Sequence, residues 1–125
     1  MRTVIAVGVA GFLGALARYG VEGFVTERTN QGFPWGTFVV NISGSFILGV
    51  LFALLVEGRV AVAPWLRTGL TVGLVGAYTT FSTLTLETFR LIEDGALLSA
   101  GANAIGSLTL GLVAVYVGIV LGRLI

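Results

Sequence analysis

Gly73-Leu74-Val75-Gly76-Ala77-Tyr78-Thr79-Thr80-Phe81-Ser82-Thr83 is the stretch that decides how this chain is read. It lies in a run from Thr68 to Leu86 that carries no charge and otherwise has the character of a membrane-spanning helix. Yet six hydroxyl side chains crowd the ten residues from Thr79 to Thr88. Glycines loosen a helix, and consecutive Thr and Ser offer oxygens that compete for backbone hydrogen bonds. In hydrocarbon, irregular backbone survives only where protein or a wet cavity satisfies it. A helix broken here is expected to build a binding site or a pore.

Composition places the stretch in a bilayer. The 125 residues are 56% hydrophobic and 10% charged, too few charges to cover a water-soluble surface. The net charge of +1 and the lack of a basic run give no nucleic-acid signal. There is no Cys and no His, which removes thiol chemistry, disulfides, imidazole bases and the common zinc sites. No motif pairs a nucleophile with a base, so an enzyme is not expected.

Charge-free stretches predict an all-α membrane protein, a single domain over residues 1–125 with four spans at about 4–24, 36–56, 65–89 and 96–121. Each meets the roughly 20 residues needed to cross hydrocarbon. The third is expected to be broken near its middle. Trp35 and Trp65 fall at predicted water interfaces. Arg2, an apolar run and Ala15-Leu16-Ala17 also resemble a secretory signal, but Gly8, Gly11 and Gly14 at intervals of three suit a packed helix face better.

Orientation is barely specified. With four spans, Arg2, Arg59, Arg67 and Arg123 share one side, against Arg28, Arg90 and Arg18 on the other. A split this even leaves the positive-inside rule undecided; insertion in both directions is expected, with opposite copies pairing, the alternative being that lipid or partner contacts fix one orientation. Gly69 and Gly73, and Gly118 and Gly122, form GxxxG pairs that suit either association between chains or packing within one.

Several polar residues need a reason. Asn41 lies inside the second span, and Asn103 and Ser107 stand four apart on one face of the fourth. Singly each reads as interhelical glue; with the third span's hydroxyls they suggest a polar track. Arg18 and Glu22 are spaced for a helix-face ion pair, as are Glu87 and Arg90. Arg18 reads equally as a cation that draws anions to a vestibule. Phe81 reads as a core aromatic or as a ring edge offered to an anion.

These residues together resemble a known family. Gly14-Ala15-Leu16-Ala17-Arg18-Tyr19, then Gly36-Thr37-Phe38-Val39-Val40-Asn41-Ile42-Ser43-Gly44-Ser45-Phe46, then Gly73 to Thr83 with Glu87 downstream, are similar to the Fluc/CrcB fluoride channels across essentially the whole chain. The resemblance implies a passive fluoride channel in a prokaryotic cell membrane. It implies an antiparallel dual-topology dimer, homodimer or heterodimer with a paralogous chain, with two fluoride pathways. It also implies a structural sodium ion at the dimer centre, on the backbone carbonyls of Gly76 and Thr79. Asn41 and Phe81 match pathway positions; Thr80, Ser82, Thr83, Asn103 and Ser107 are expected to line it, and Arg18 and Glu87 to mark its ends. One departure stands out. The family usually reads Thr-Thr-Phe-Ser-Thr-Phe, and here the second ring of the pathway is replaced by Leu84.

Two other readings compete. A small multidrug transporter would want a titratable acid inside the first helix, whereas Glu22 sits near its end. A non-transporting assembly protein would use the same polar residues only to lock helices.

Overall fold

The structure, a computed structural model, describes every residue from Met1 to Ile125. It is entirely helical. The first helix is Arg2–Thr26, the second Trp35–Val56 and the last Leu97–Leu124; these three are long and apolar enough to cross a membrane. Between them the third segment divides into a leading half, residues 64–78, and a trailing half, Phe81–Glu93. Helix covers all four expected stretches to within a few residues of their expected ends, although the third, being divided, is not among the three continuous helices long enough to cross a membrane. The helices simply run on past the flanking charges, since a helix need not stop where hydrocarbon does.

Local chemistry sets the boundaries. Pro64 opens the leading half, where its missing N–H costs nothing. The trailing half closes at Gly95, whose φ of +75° suits a residue without a side chain. Gly95 N–H there reaches Ile92 O at 3.0 Å and Ala96 N–H reaches Leu91 O at 2.8 Å, so the last carbonyls are satisfied. Two stretches, Phe52–Val56 and Gly69–Val75, widen into π-helical turns. The second lies against the first helix, immediately ahead of the break.

Packing is backbone against backbone. The second helix makes its largest contact with the last, and the first helix with the π turn of the leading half. A side chain at Gly14 would collide with the Leu74 carbonyl, and one at Gly73 would stand 2.8 Å from Val7 O. Gly49 faces Val115 and Gly118 faces Phe46 in the same way. Both GxxxG pairs are therefore spent inside the chain: Gly69 and Gly73 meet Ala6, Val7 and Ala10, while Gly118 and Gly122 meet the second helix. Gly101, which has no atom near its missing side chain, takes no part.

Burial is inverted relative to a soluble domain. Only five apolar residues are buried, Val40, Ala53, Leu55, Val75 and Ala100, beside four polar ones, Thr37, Thr80, Asn103 and Ser107. Large apolar side chains such as Phe12, Leu108 and Tyr116 face outward. Where hydrocarbon is the solvent, outward-facing apolar side chains need no cover and polar groups turn inward.

Neither expected ion pair on the first and third segments forms. The salt bridges are Arg28–Glu27 at 3.7 Å and Arg123–Glu57. Glu22 and Glu87 turn instead into a common polar pocket, where Glu87 finds a hydroxyl donor. At the other end, the Arg123 guanidinium hydrogen-bonds Glu57, with Nε 3.0 Å from Oε2, and holds that carboxyl below its usual range. A lowered folded-state pKa contributes stability above the ordinary carboxylate pKa and loses it as pH falls through the lower value. Arg123→Gln is therefore expected to lower the melting temperature in detergent at about pH 7. The difference should shrink as pH falls through the lowered Glu57 pKa and vanish once the carboxyl is protonated in both chains.

Candidate functional site at the broken helix

The break is two extended residues. Thr79 has φ −80° and ψ 158°, and Thr80 has φ −148° and ψ 113°. The leading half ends where Val75 O accepts both the Thr79 N–H at 3.0 Å and the Thr79 hydroxyl at 3.1 Å. The trailing half starts on Thr80, whose Oγ1 accepts the Thr83 N–H at 3.3 Å as an N-cap.

Asn41 closes the gap from the second helix. Its Oδ1 accepts the Thr80 N–H at 2.8 Å, and its Nδ2 donates to Thr80 O at 3.0 Å. One side chain thus satisfies both polar groups of an extended residue, as a neighbouring strand would. Two carbonyls are freed as a result. In a continuous helix Gly76 O would receive the Thr80 N–H and Thr79 O the Thr83 N–H. Asn41 and the Thr80 hydroxyl take those donors, so both carbonyls are released from helical bonding.

Beside the break lies a groove of about 410 Å³. It gathers five expected residues, Asn41, Thr80, Phe81, Leu84 and Ser107, with Gly44, Ser45 and Thr79 among its other walls. Thr80 and Ser107 are buried, whereas Phe81 is 78% exposed and so projects its ring away from its own chain. Gly44 matters here: a side chain at that position would strike the Thr79 methyl and stand 3.1 Å from the Tyr78 ring.

The other expected residues lie around the groove. Thr83 Oγ1 accepts from the Thr80 hydroxyl at 3.0 Å, and Ser82 Oγ sits 3.4 Å from the same oxygen, so both belong to the cap. Asn103 is wholly buried and donates from Nδ2 to Thr88 Oγ1 at 3.0 Å. Arg18 is half-buried on the first helix, and Gly76 is exposed at the end of the leading half. Glu87 lies further along the trailing half, in a polar pocket of about 210 Å³ with Glu22, Thr26 and Thr37 among its walls. Its Oε1 accepts from Thr37 Oγ1 at 2.9 Å. Leu84 and Glu87, three apart on the trailing half, share one helix face, with Leu84 in the groove wall and Glu87 in the pocket.

Three features are not evident from sequence. Tyr78 OH and Ser43 Oγ lie 2.9 Å apart, tying the leading half to the second helix. Thr37 is the partner of Glu87, and Ser45 lines the groove. The polar run from Thr37 to Ser45 is plain in the sequence, but which members meet the third segment depends on helix rotation.

Chemically, the groove offers neutral donors and no fixed charge. The first turn of the trailing half adds backbone N–H groups at a positive dipole end. Such a surface suits an anion that must be held weakly enough to leave.

Fold and site define a multi-pass, all-helical membrane protein built around an interrupted segment. The chain belongs to the CrcB family: the family model described as CrcB-like protein, Camphor Resistance (CrcB), matches residues 5–119. Similar relatives include a fluoride-specific ion channel FluC from Geotalea daltonii, 46% identical over 125 residues and covering 100% of both chains. Another from Geotalea uraniireducens is 46% identical over 98% of each chain, and one from Nitratidesulfovibrio vulgaris is 42% identical over 100% of each. The relatives are named as channels, a non-enzymatic function.

Proposed function

We propose that this chain is a fluoride channel of a prokaryotic cell membrane, conducting passively. The observation that carries the reading is the Asn41 clamp on Thr80, which holds the third segment open beside a groove of neutral donors. The names of relatives that match the chain end to end support the choice of ion.

Fluoride is small and strongly hydrated, so the route must replace its water without trapping it. The Thr80 hydroxyl proton is already given to Thr83 Oγ1, so the Ser107 hydroxyl and the remaining amide hydrogen of Asn41 supply the donors of moderate strength. Asn41 therefore does two things: one N–H secures the Thr80 carbonyl, and the other faces the groove it lines.

The reading extends to an antiparallel dimer with two pathways. Phe81, projecting from its own chain, is placed to meet a second copy, and the weakly biased arginines suit opposite insertion. The carbonyls of Gly76 and Thr79, released from helical bonding, fit a sodium ion at the centre of such a dimer. Bound there, sodium would supply a positive charge that draws anions toward the groove.

The test is fluoride efflux from liposomes holding only this chain, with chloride as control. Fluoride flux without chloride flux is expected; no flux from a folded, reconstituted chain contradicts the proposal. Leu84→Phe should preserve or raise the rate, because it restores a ring edge to the groove wall, and a large drop would contradict that account. Phe81→Ile should slow efflux more than it weakens the dimer, since the ring is largely outside its own chain's packing. Equal losses in both would make Phe81 a packing residue.

A further inference from the structure

The even split of arginines hides an uneven split of acids. At the end of the bundle where the first helix starts and the last one finishes stand Arg2, Arg59, Arg67 and Arg123. The one acid there, Glu57, is already bonded to Arg123. The opposite end carries five acids, Glu22, Glu27, Glu87, Glu93 and Asp94, against Arg18, Arg28 and Arg90. One end is therefore basic and the other acidic. At the basic end a groove of about 450 Å³ opens between the first helix and the start of the leading half, lined by Arg2, Ile5, Ala6, Val9 and Trp65. The chain's two salt bridges leave Arg2 free. Ile5 and Val9 are exposed and stand one turn apart, so they present a single outward apolar stripe.

A free cation above an apolar floor selects an amphiphile of opposite charge. From Arg2 to Val9 the helix rises about 10 Å, which carries the groove from the water boundary well into one leaflet's ~15 Å share of hydrocarbon. Trp65 marks that boundary, because indole rings settle at headgroup level. We infer that this groove seats an anionic phospholipid, with one acyl chain along Ile5, Ala6 and Val9 and the phosphate on the Arg2 guanidinium. A second copy of the chain is the rival occupant, and the fold disfavours it. The groove that holds Phe81 is walled by the second helix, the trailing half and the last helix, whereas the first helix packs on the second helix and the leading half. A partner that meets Phe81 thus leaves the outer face of the first helix to lipid.

This stands on the membrane-spanning fold alone, so a chain that passed no fluoride would leave it untouched. The test is native mass spectrometry of the full chain in detergent, offered equal amounts of phosphatidylglycerol and phosphatidylcholine with matched acyl chains. One arginine beside an anionic lipid is worth about fivefold in binding, so phosphatidylglycerol should be retained about fivefold over phosphatidylcholine. Arg2→Gln should bring the two lipids level, while Arg59→Gln, at the same end but outside the groove, should leave the preference within about twofold of the parent. Val9→Trp fills the groove from an outward-facing position and should weaken phosphatidylglycerol with Arg2 intact. Equal retention of both lipids by the parent, or a preference that survives Arg2→Gln, would overturn the inference. So would undiminished binding in Val9→Trp, which would make the lipid a loose counterion. Displacement by excess glycerol phosphate would reduce the groove to a phosphate site, and phosphatidylglycerol carried by monomers but shed by dimers would give it to the second copy; either result overturns the lipid.

Discussion

Asn41→Leu is expected to cut fluoride efflux by at least about 100-fold. Leucine matches asparagine in size, so the second helix keeps its packing. The variant cannot accept the Thr80 N–H or donate to Thr80 O. A buried polar group left unsatisfied costs roughly 1–3 kcal/mol, and two are orphaned on one residue. The cheapest relief is for Thr80 to return its N–H to Gly76 O and rebuild a continuous helix. That would close the groove and engage the Gly76 carbonyl again. Efflux and dimer content, measured on one preparation, separate the outcomes: flux should vanish while much of the dimer survives. Flux within about threefold of the parent would show that the clamp does not hold the route open.

The second large effect is on the fold. Gly14→Ala drives a methyl into the Leu74 carbonyl, and backbone cannot turn aside as a side chain would. Overpacking costs about 1–3 kcal/mol, and a backbone obstacle puts this substitution toward the upper end. The first helix must part from the leading half, which also carries Gly73 against Val7. Gly8→Ala on the same helix is the control, because its methyl meets no atom within 4 Å. Thermal unfolding in detergent should show Gly14→Ala melting well below the parent, with Gly8→Ala equal or slightly above. Equal melting of the two variants would contradict the close backbone approach.

Much of the fold is legible in the sequence because hydrocarbon makes simple demands. Charge-free runs of about twenty residues set the spans, and the hydroxyl cluster from Thr79 locates the break, which falls at Thr79 and Thr80. The family resemblance marks Asn41, Thr80, Phe81, Leu84 and Ser107 as candidate pathway residues, and one groove brings them together. What is illegible depends on rotation and rotamer. Glu22 and Glu87 have spaced partners on their own helices, yet both side chains turn into a shared pocket with Thr37. The spacing of Gly69 and Gly73 suits contact within or between chains equally, and only the fold shows them against Ala6 and Val7. No pattern could reveal that Asn41 would bond backbone on both sides of its amide, because its partner lies 39 residues away.

The most direct measurement is the reversal potential of current through this chain alone in a planar bilayer, with opposed fluoride and chloride gradients. An open, neutral-walled route at Thr79 and Thr80 predicts current that reverses at the fluoride equilibrium potential and disappears in Asn41→Leu. Reversal at the chloride potential, or fluoride current undiminished by that substitution, would contradict it.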